Sequence, residues 1–200
     1  MNDTVINAAR RQFLVKSTSA LAIAGVAATA VPFLSSWSPT PAAKLTGLPA
    51  RIDLTKISVG EGIKFLWRGT PIWVIRRNTT MIQQLDALRE RLKDPDSLES
   101  TQPDYARNNL RARRADVMVL TAVCTHLGCI PELKGAGDSD LGIDLRGGFF
   151  CACHGSRYDT AGRVLKGSPA SANLPVPPHY FEGNDTLIIG SDVAESKDVA

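Results

Sequence analysis

The sequence predicts a mainly β domain that follows a single N-terminal transmembrane helix. An uncharged apolar stretch near the N-terminus is long enough to cross a bilayer. Much of the remaining chain consists of short runs of β-branched and aromatic residues separated by glycine-containing turns. Two hundred residues leave about 150 after such an anchor, which is enough for the domain to bury a core of its own.

The N-terminal segment 1–16 carries the twin arginine Arg10-Arg11, followed by the apolar residues Phe13 and Leu14. A twin arginine ahead of an apolar run is typical of an export signal of the Tat type. We therefore expect a cytoplasmic N-terminus and an exported C-terminal domain. Two ordinary basic residues that flank a helix are the alternative interpretation of the dipeptide alone.

Residues 17–37 are predicted to form the transmembrane helix. The stretch from Ser17 to Ser36 has no charged residue, and twenty helical residues span about 30 Å, the thickness of a hydrocarbon core. A cleaved signal peptide is the alternative, but its apolar region is only about 7 to 15 residues long. The longer run, with Trp37 at the expected interface, favours an uncleaved anchor. Basic residues on the N-terminal side keep that end cytoplasmic, so the soluble domain is expected in the periplasm of a bacterial inner-membrane protein.

Residues 38–49 are predicted to form a hinge, because this stretch is rich in proline and small residues and shows no apolar periodicity. A surface loop without a mechanical role is the alternative. The soluble domain is expected to occupy residues 50–191, and the polar residues 192–200 are expected to form a frayed tail.

The soluble domain is predicted to begin with a β-hairpin and one helix. Residues 63–67 and 71–76 are rich in β-branched and aromatic side chains, and residues 68–70 between them supply a turn. Thr80 and Gln83 have the spacing of a capping box, and apolar residues recur at helical spacing after them. We therefore expect an amphipathic helix over 80–93 that faces the core.

The later elements are predicted to be short strands and turns. Residues 94–114 are polar and interrupted by proline and asparagine, which predicts a long loop. Further strands are expected at 117–120, 147–150, 180–181 and 186–189.

Two short boxes concentrate the metal-ligating residues. Residues 124–129 read Cys-Thr-His-Leu-Gly-Cys, and residues 151–156 read Cys-Ala-Cys-His-Gly-Ser. They hold all four cysteines and two of the three histidines, whereas His179, beside two prolines, is predicted to be a surface residue. Thiolate and imidazole groups that converge from two loops are typical of a metal site.

Several uses of these six side chains are open. A structural zinc ion would take four of them, but neither box has the ligand spacing usual for zinc sites. Two disulfides with two unused histidines are a second possibility. A third is an iron-sulfur cluster bound by cysteine and histidine together.

The boxes, CTHLGC and CACHGSRYD, resemble those of the Rieske iron-sulfur protein of cytochrome bc complexes, with Ala152 where the family usually has proline. The resemblance extends to the N-terminal anchor and most of the soluble domain. It implies a Rieske-type all-β domain of base sheets with an inserted cluster-binding subdomain at about 122–173. It also implies one [2Fe-2S] cluster per chain and a disulfide between Cys129 and Cys153, a bond that persists in an oxidising compartment such as the periplasm. The implied cluster ligands are Cys124, His126, Cys151 and His154.

The resemblance assigns further roles around the cluster. Ser156 and Tyr158 occupy positions whose hydroxyls hydrogen-bond the cluster or its ligand sulfur and raise its reduction potential. His154 is implied to be the catalytic residue, which hydrogen-bonds quinol and releases its proton. An apolar docking tip is implied at Leu127, Gly167 and Pro169, although relatives often have Gly-Pro where this chain has Gly167-Ser168.

The implied function is that of a high-potential electron-transfer subunit. It oxidises ubiquinol at a cytochrome b site, swings on the 38–49 hinge and reduces a c-type cytochrome, and we expect no independent activity of the chain alone. The small Rieske subunit of another exported oxidoreductase, such as arsenite oxidase, is the alternative; a Rieske ferredoxin of a dioxygenase would lack the equivalents of Cys129 and Cys153. A net charge of +3, from 23 basic and 20 acidic residues, gives no reason to expect a nucleic-acid partner.

Overall fold

The computed structural model describes residues 7–40, 48–142 and 144–192. The chain divides into one unit that ends at Thr46 and a second that begins at Gly47. The predicted hinge therefore falls partly on residues 41–47, and the predicted tail mostly on residues 193–200, both of which lie outside the described residues.

The first unit contains helix α1, Ala8–Ser35. The side chain of Asn7 caps its N-terminus by accepting hydrogen bonds from the backbone N–H groups of Ala9 and Arg10. The helix extends beyond the predicted 17–37 segment on the N-terminal side, so that the twin arginine is helical, and it ends at Ser35. Its length and composition suffice to cross a membrane, a test that a signal sequence also passes.

The second unit contains three antiparallel sheets of three strands each, which confirms the predicted mainly β domain. The first sheet has the order β1 (Ala50–Asp53), β9 (Thr186–Ile189) and β8 (His179–Glu182). The second has the order β2 (Gly62–Trp67), β3 (Thr70–Arg76) and β4 (Val117–Thr121). The third has the order β5 (Glu132–Lys134), β6 (Gly148–Cys151) and β7 (Ser156–Tyr158).

The predicted hairpin is confirmed in β2 and β3, with Trp67 paired to Thr70. Arg68 and Gly69 form its turn, and both have positive φ, 51° and 76°. Two central residues with positive φ give a turn whose twist matches that of the flanking strands. The hairpin thus closes with two residues in the left-handed region.

Helix α2, Thr79–Ala87, is shorter than the predicted helix over 80–93. The predicted capping box is wrong, because the cap is Asn78, whose Oδ1 accepts a hydrogen bond from the Met81 N–H at 2.9 Å. After α2 the chain continues as a short 3-10 helix at Arg89–Arg91, and Leu92 then pairs with Leu165 in an isolated β-bridge. That pairing draws the backbone away from the helical path.

Strand β4 separates two apolar cores. Met118 and Leu120 point into one core, which also contains Phe149 and the cysteines at the start of both boxes. Val117 and Val119 point to the opposite side, into a core shared with β1 and β9. Because side chains alternate along a strand, β4 can be buried on both faces. The first box begins at Cys124, shortly after this strand ends.

The long loop over 94–114 is confirmed apart from a 3-10 turn at Asp104–Ala106, but part of it is buried. Arg111 is fully buried, and its guanidinium donates hydrogen bonds to the carbonyl oxygens of Ala161 and Leu174 at 2.9 and 2.8 Å. These acceptors lie far away in sequence, so the polar composition of the loop did not indicate that Arg111 is buried.

The prediction that His179 is a surface residue is wrong, because its side chain is fully buried at the start of β8. Its Nδ1 lies 2.9 Å from the Pro177 carbonyl oxygen and 3.2 Å from the Tyr105 hydroxyl. Burial lowers the pKa of His179 to about 4. The adjacent prolines suggested an exposed turn, but the segment leads directly into a sheet.

Candidate metal centre

The two boxes adopt turns of the same kind. The Gly128 N–H donates a hydrogen bond to the Cys124 carbonyl at 2.9 Å, and the Gly155 N–H donates one to the Cys151 carbonyl at the same distance. Both glycines have positive φ, 83° and 76°. Glycine adopts this conformation without the steric cost that a Cβ imposes. The second box is thereby the turn that joins β6 to β7, with Cys151 paired to Ser156.

The predicted disulfide between Cys129 and Cys153 is confirmed. One cysteine comes from each box, so the bond joins the two turns covalently. The free cysteines are therefore Cys124 and Cys151, and both are buried.

The thiol of Cys124 is surrounded by hydrogen-bond donors. Its Sγ lies 3.2 Å from the Tyr158 hydroxyl. Burial opposes ionisation of this thiol, but hydrogen bonds from Tyr158, from the His126 backbone and from Ser156 outweigh it, and the pKa of Cys124 lies below its usual range. Burial and the neighbouring Cys124 raise the pKa of the Cys151 thiol. The first box thus holds the thiol that ionises more readily.

The two box histidines lie beside each other. The rings of His126 and His154 meet edge to face with their centroids 4.7 Å apart. His154 is exposed, whereas His126 is half-buried. The Nδ1 atom of His126 is buried, and within the described part of the chain no group hydrogen-bonds it. A buried nitrogen without a partner is costly, and metal coordination is one way to satisfy it.

The donors that remain available fit a group held by two thiolates and two imidazoles. The sulfur atoms of Cys129, Cys151 and Cys153 lie within 4.8 Å of one another, but two of them form the disulfide and cannot bind a metal. The free thiols of Cys124 and Cys151 and the paired imidazoles are left. Cysteine and histidine ligands in equal number are the donor set of a [2Fe-2S] centre of the Rieske type.

The hydroxyls predicted to tune the site lie close to the first box. Tyr158 is fully buried next to Cys124, and Ser156 is fully buried with its Oγ accepting a hydrogen bond from the Ala170 N–H at 3.0 Å. Sequence reasoning missed Thr125, whose hydroxyl donates to the Ala172 carbonyl at 2.6 Å and lies 3.3 Å from the Tyr158 hydroxyl. Its place between two ligand candidates was the signal that could have identified it.

The residues predicted to form the docking tip are exposed. Leu127 is 70% exposed, and Gly167 and Pro169 are exposed as well. Ile130 was not predicted, although it directly follows the first box, and it is 47% exposed. Leu127 directly follows His126, whose ring contacts exposed His154, and exposed apolar and polar groups of this kind have the composition of a contact surface.

Comparisons with known proteins identify the families that the chain matches. Residues 94–178 match the family described as Rieske [2Fe-2S] domain, and residues 1–40 match the family described as "Ubiquitinol-cytochrome C reductase Fe-S subunit TAT signal". The second match confirms the predicted Tat signal.

Among curated relatives, the chain is 40% identical to the ubiquinol-cytochrome c reductase iron-sulfur subunit of Allochromatium vinosum, over 94% of this chain and 91% of the relative. It is 43% identical to the protein of the same description from Blastochloris viridis, over 94% of this chain and 96% of the relative. A chain in the solved structure of a hyperthermophilic respiratory Complex III matches with a TM-score of 0.48 and 26% identity, over 86% of this chain and 97% of that chain.

Proposed function

The chain belongs to the family of ubiquinol-cytochrome c reductase iron-sulfur subunits, and from this membership we propose that it is the Rieske electron-transfer subunit of a bacterial cytochrome bc1 complex. In that role it takes electrons from ubiquinol and passes them to a c-type cytochrome. The observation that carries the proposal is the pair of buried free thiols beside two histidines, with the two remaining cysteines bridged.

The proposed cluster ligands are Cys124, His126, Cys151 and His154. The support comes from the burial of both thiols, the unsatisfied Nδ1 of His126 and the edge-to-face contact of the imidazoles. When bound, a [2Fe-2S] cluster with two histidine ligands accepts one electron at a potential of roughly −150 to +300 mV.

The residues around the ligands stabilise negative charge on sulfur. Tyr158 approaches the Cys124 sulfur within hydrogen-bond distance, and Ser156 contributes to lowering the pKa of the same thiol. Hydrogen bonds to a ligand sulfur favour the reduced, more negative state and thereby raise the potential. Burial of both cysteines and both hydroxyls excludes water from this side of the site.

His154 is proposed to contact ubiquinol. Its ring is exposed, so it can form a hydrogen bond with a group on a partner. In the proposed role it accepts the proton that leaves the quinol. Leu127, Gly167 and Pro169 are exposed and are proposed to form the surface that docks on cytochrome b. Segment 38–49 is proposed as the hinge between the two docked positions.

The proposed location is the bacterial inner membrane, with α1 as a single-pass anchor and the second unit in the periplasm. The match to the Tat signal family supports export of a folded domain. The Cys129–Cys153 disulfide supports an oxidising compartment. Helix α1 is long and apolar enough for the anchor.

The test is purification of the full chain from membranes, with iron analysis and electron paramagnetic resonance after reduction. We expect iron and the signal of a reduced cluster, with b-type and c-type haem proteins in the same preparation. Cys151→Ala should abolish both iron and signal, whereas the double variant Cys129→Ala and Cys153→Ala should retain iron. Zinc in place of iron, or iron that persists in Cys151→Ala, would refute the proposed site.

A further inference from the structure

The loop of residues 167–170 is hydrogen-bonded to the second box and to the strand after it. The Ala170 N–H donates to Ser156 Oγ at 3.0 Å. The Ser168 hydroxyl accepts from the Arg157 N–H at 3.0 Å and donates to the Arg157 carbonyl at 3.3 Å. Shortly after the loop, the Ala172 carbonyl accepts a hydrogen bond from the first box. The position of this loop therefore affects both boxes.

Lys93 holds this loop from a distant part of the sequence. Its ammonium donates to the Ser168 carbonyl at 2.6 Å and to the Ala170 carbonyl at 2.8 Å. The backbone of the same segment is fixed, since the Lys93 N–H donates to the Val164 carbonyl at 3.0 Å. One cation thus binds two carbonyl groups of a four-residue loop.

The two carbonyls lie on either side of the Ala170 N–H along the chain. A cation that binds both fixes the orientation of the peptide groups before and after that N–H. The N–H is then held toward Ser156 Oγ, which accepts from it and keeps its own proton free to donate elsewhere. Hydrogen bonds therefore lead from Lys93 through the loop to Ser156 at the end of the second box.

We propose that Lys93 is a positioning residue, whose ammonium clamps the 167–170 loop and thereby fixes both the Ala170 N–H against the Ser156 hydroxyl and Pro169 on the docking tip. This inference rests on the proposed function for its redox consequence, but the clamp itself is a property of the fold. Ser168 takes part in the clamp through its carbonyl and its hydroxyl.

Lys166 provides a matched control. It lies next to the loop, but its ammonium donates to the Glu90 carbonyl at 2.8 Å and not to a loop carbonyl. Lys166→Met therefore removes one positive charge from the same neighbourhood while it leaves the clamp in place.

The experiment compares Lys93→Met with Lys166→Met in the full-length holoprotein. Loss of charge-assisted hydrogen bonds to two carbonyls should accelerate amide hydrogen exchange at Ser168 and Ala170 about tenfold in Lys93→Met. The midpoint potential should fall in the same variant, because the Ser156 hydroxyl, which is proposed to tune the cluster, loses its fixed backbone partner. Lys166→Met should leave both quantities unchanged.

Unchanged exchange in Lys93→Met, or an equal acceleration in Lys166→Met, would overturn the clamp. Ser168→Ala removes the contact with Arg157 but keeps both carbonyls, so we expect a smaller acceleration than in Lys93→Met. Exchange at the loop is measured without reference to quinol. A wild-type protein that lacks iron would thus refute the proposed function. Amide exchange at Ser168 and Ala170 that is as slow in Lys93→Met as in the wild type would refute this inference.

Discussion

The two boxes form turns of the same kind but differ in the position and exposure of their histidines. Each begins with a buried cysteine and has a glycine four residues later that donates its N–H back to that cysteine. The histidine stands two residues after the cysteine in the first box and three residues after it in the second. This offset of one position leaves His126 half-buried and His154 exposed. The same backbone turn therefore presents one half-buried imidazole and one exposed imidazole.

The residue after the glycine differs as well. In the first box it is Cys129, which forms the disulfide, and in the second it is Ser156, which is hydrogen-bonded to the 167–170 loop. At this position the first turn therefore carries a covalent link, and the second carries a polar contact. Substitutions in matching positions can test whether the two turns are equivalent in stability and different in function.

The largest effect is expected from loss of the bond that joins the boxes. The double variant Cys129→Ala and Cys153→Ala should lower the free energy of unfolding by about 2–4 kcal/mol, because the unfolded chain regains the freedom that the cross-link removes. Urea denaturation of the purified soluble domain measures it. Equal stability with and without the bond would show that the two turns hold their arrangement independently.

The buried third histidine, His179, lies outside both boxes and should make the free energy of unfolding depend on pH. Unfolded His179 binds a proton near pH 6.5, whereas the folded residue does so near its lowered pKa of about 4. Its contribution to stability is therefore complete above pH 6.5 and is lost as the pH falls to about 4, a loss of about 3 kcal/mol. Urea denaturation at several pH values should show this loss in the wild-type domain and a smaller one in His179→Gln. The same pH dependence in both proteins would assign the effect to other groups.

The two turn glycines should respond equally. Gly128→Ala and Gly155→Ala should each destabilise the domain by about 1–2 kcal/mol, the cost of a Cβ in the left-handed region. Among the described residues no atom lies within 4 Å of a Cβ added at either position, so backbone strain is the whole effect. Gly135→Ala is the control, because that glycine has equal space and no positive φ. Thermal denaturation of the three variants tests the equivalence, and unequal losses at 128 and 155 would contradict it.

The smallest effect is expected from removal of the Tyr158 hydroxyl. Tyr158 lies in β7, and its hydroxyl contacts Cys124 of the first box. Tyr158→Phe removes the donor to Cys124 Sγ and should lower the midpoint potential by about 40 mV, equivalent to about 1 kcal/mol for one electron. Ser156→Ala should act in the same direction. Tyr180→Phe, whose hydroxyl bonds to Glu182, is the control and should leave the potential unchanged. A redox titration in which all three variants match the wild type would remove the tuning role of both hydroxyls.

The boxes and the main strands could be predicted from the sequence, because they depend on local patterns: ligand residues at fixed spacing and apolar runs between turns. The disulfide followed from the resemblance of the boxes to those of the Rieske family. The burial of His179 could not be predicted, because a polar side chain beside two prolines resembles an exposed turn until the fold brings Tyr105 against it. The burial of Arg111 escaped prediction for the same reason, since two of its acceptors are backbone carbonyls 50 and 63 residues away in sequence. The Lys93 contacts, too, join segments that no local pattern relates.

Strand β4 has a consequence for how the domain loses its structure. Its side chains fill two cores in alternation, so neither core can loosen without exposing one face of the strand that also supports the other. Heating should therefore melt the iron-binding end and the opposite end together, and visible colour and backbone circular dichroism should disappear at one midpoint.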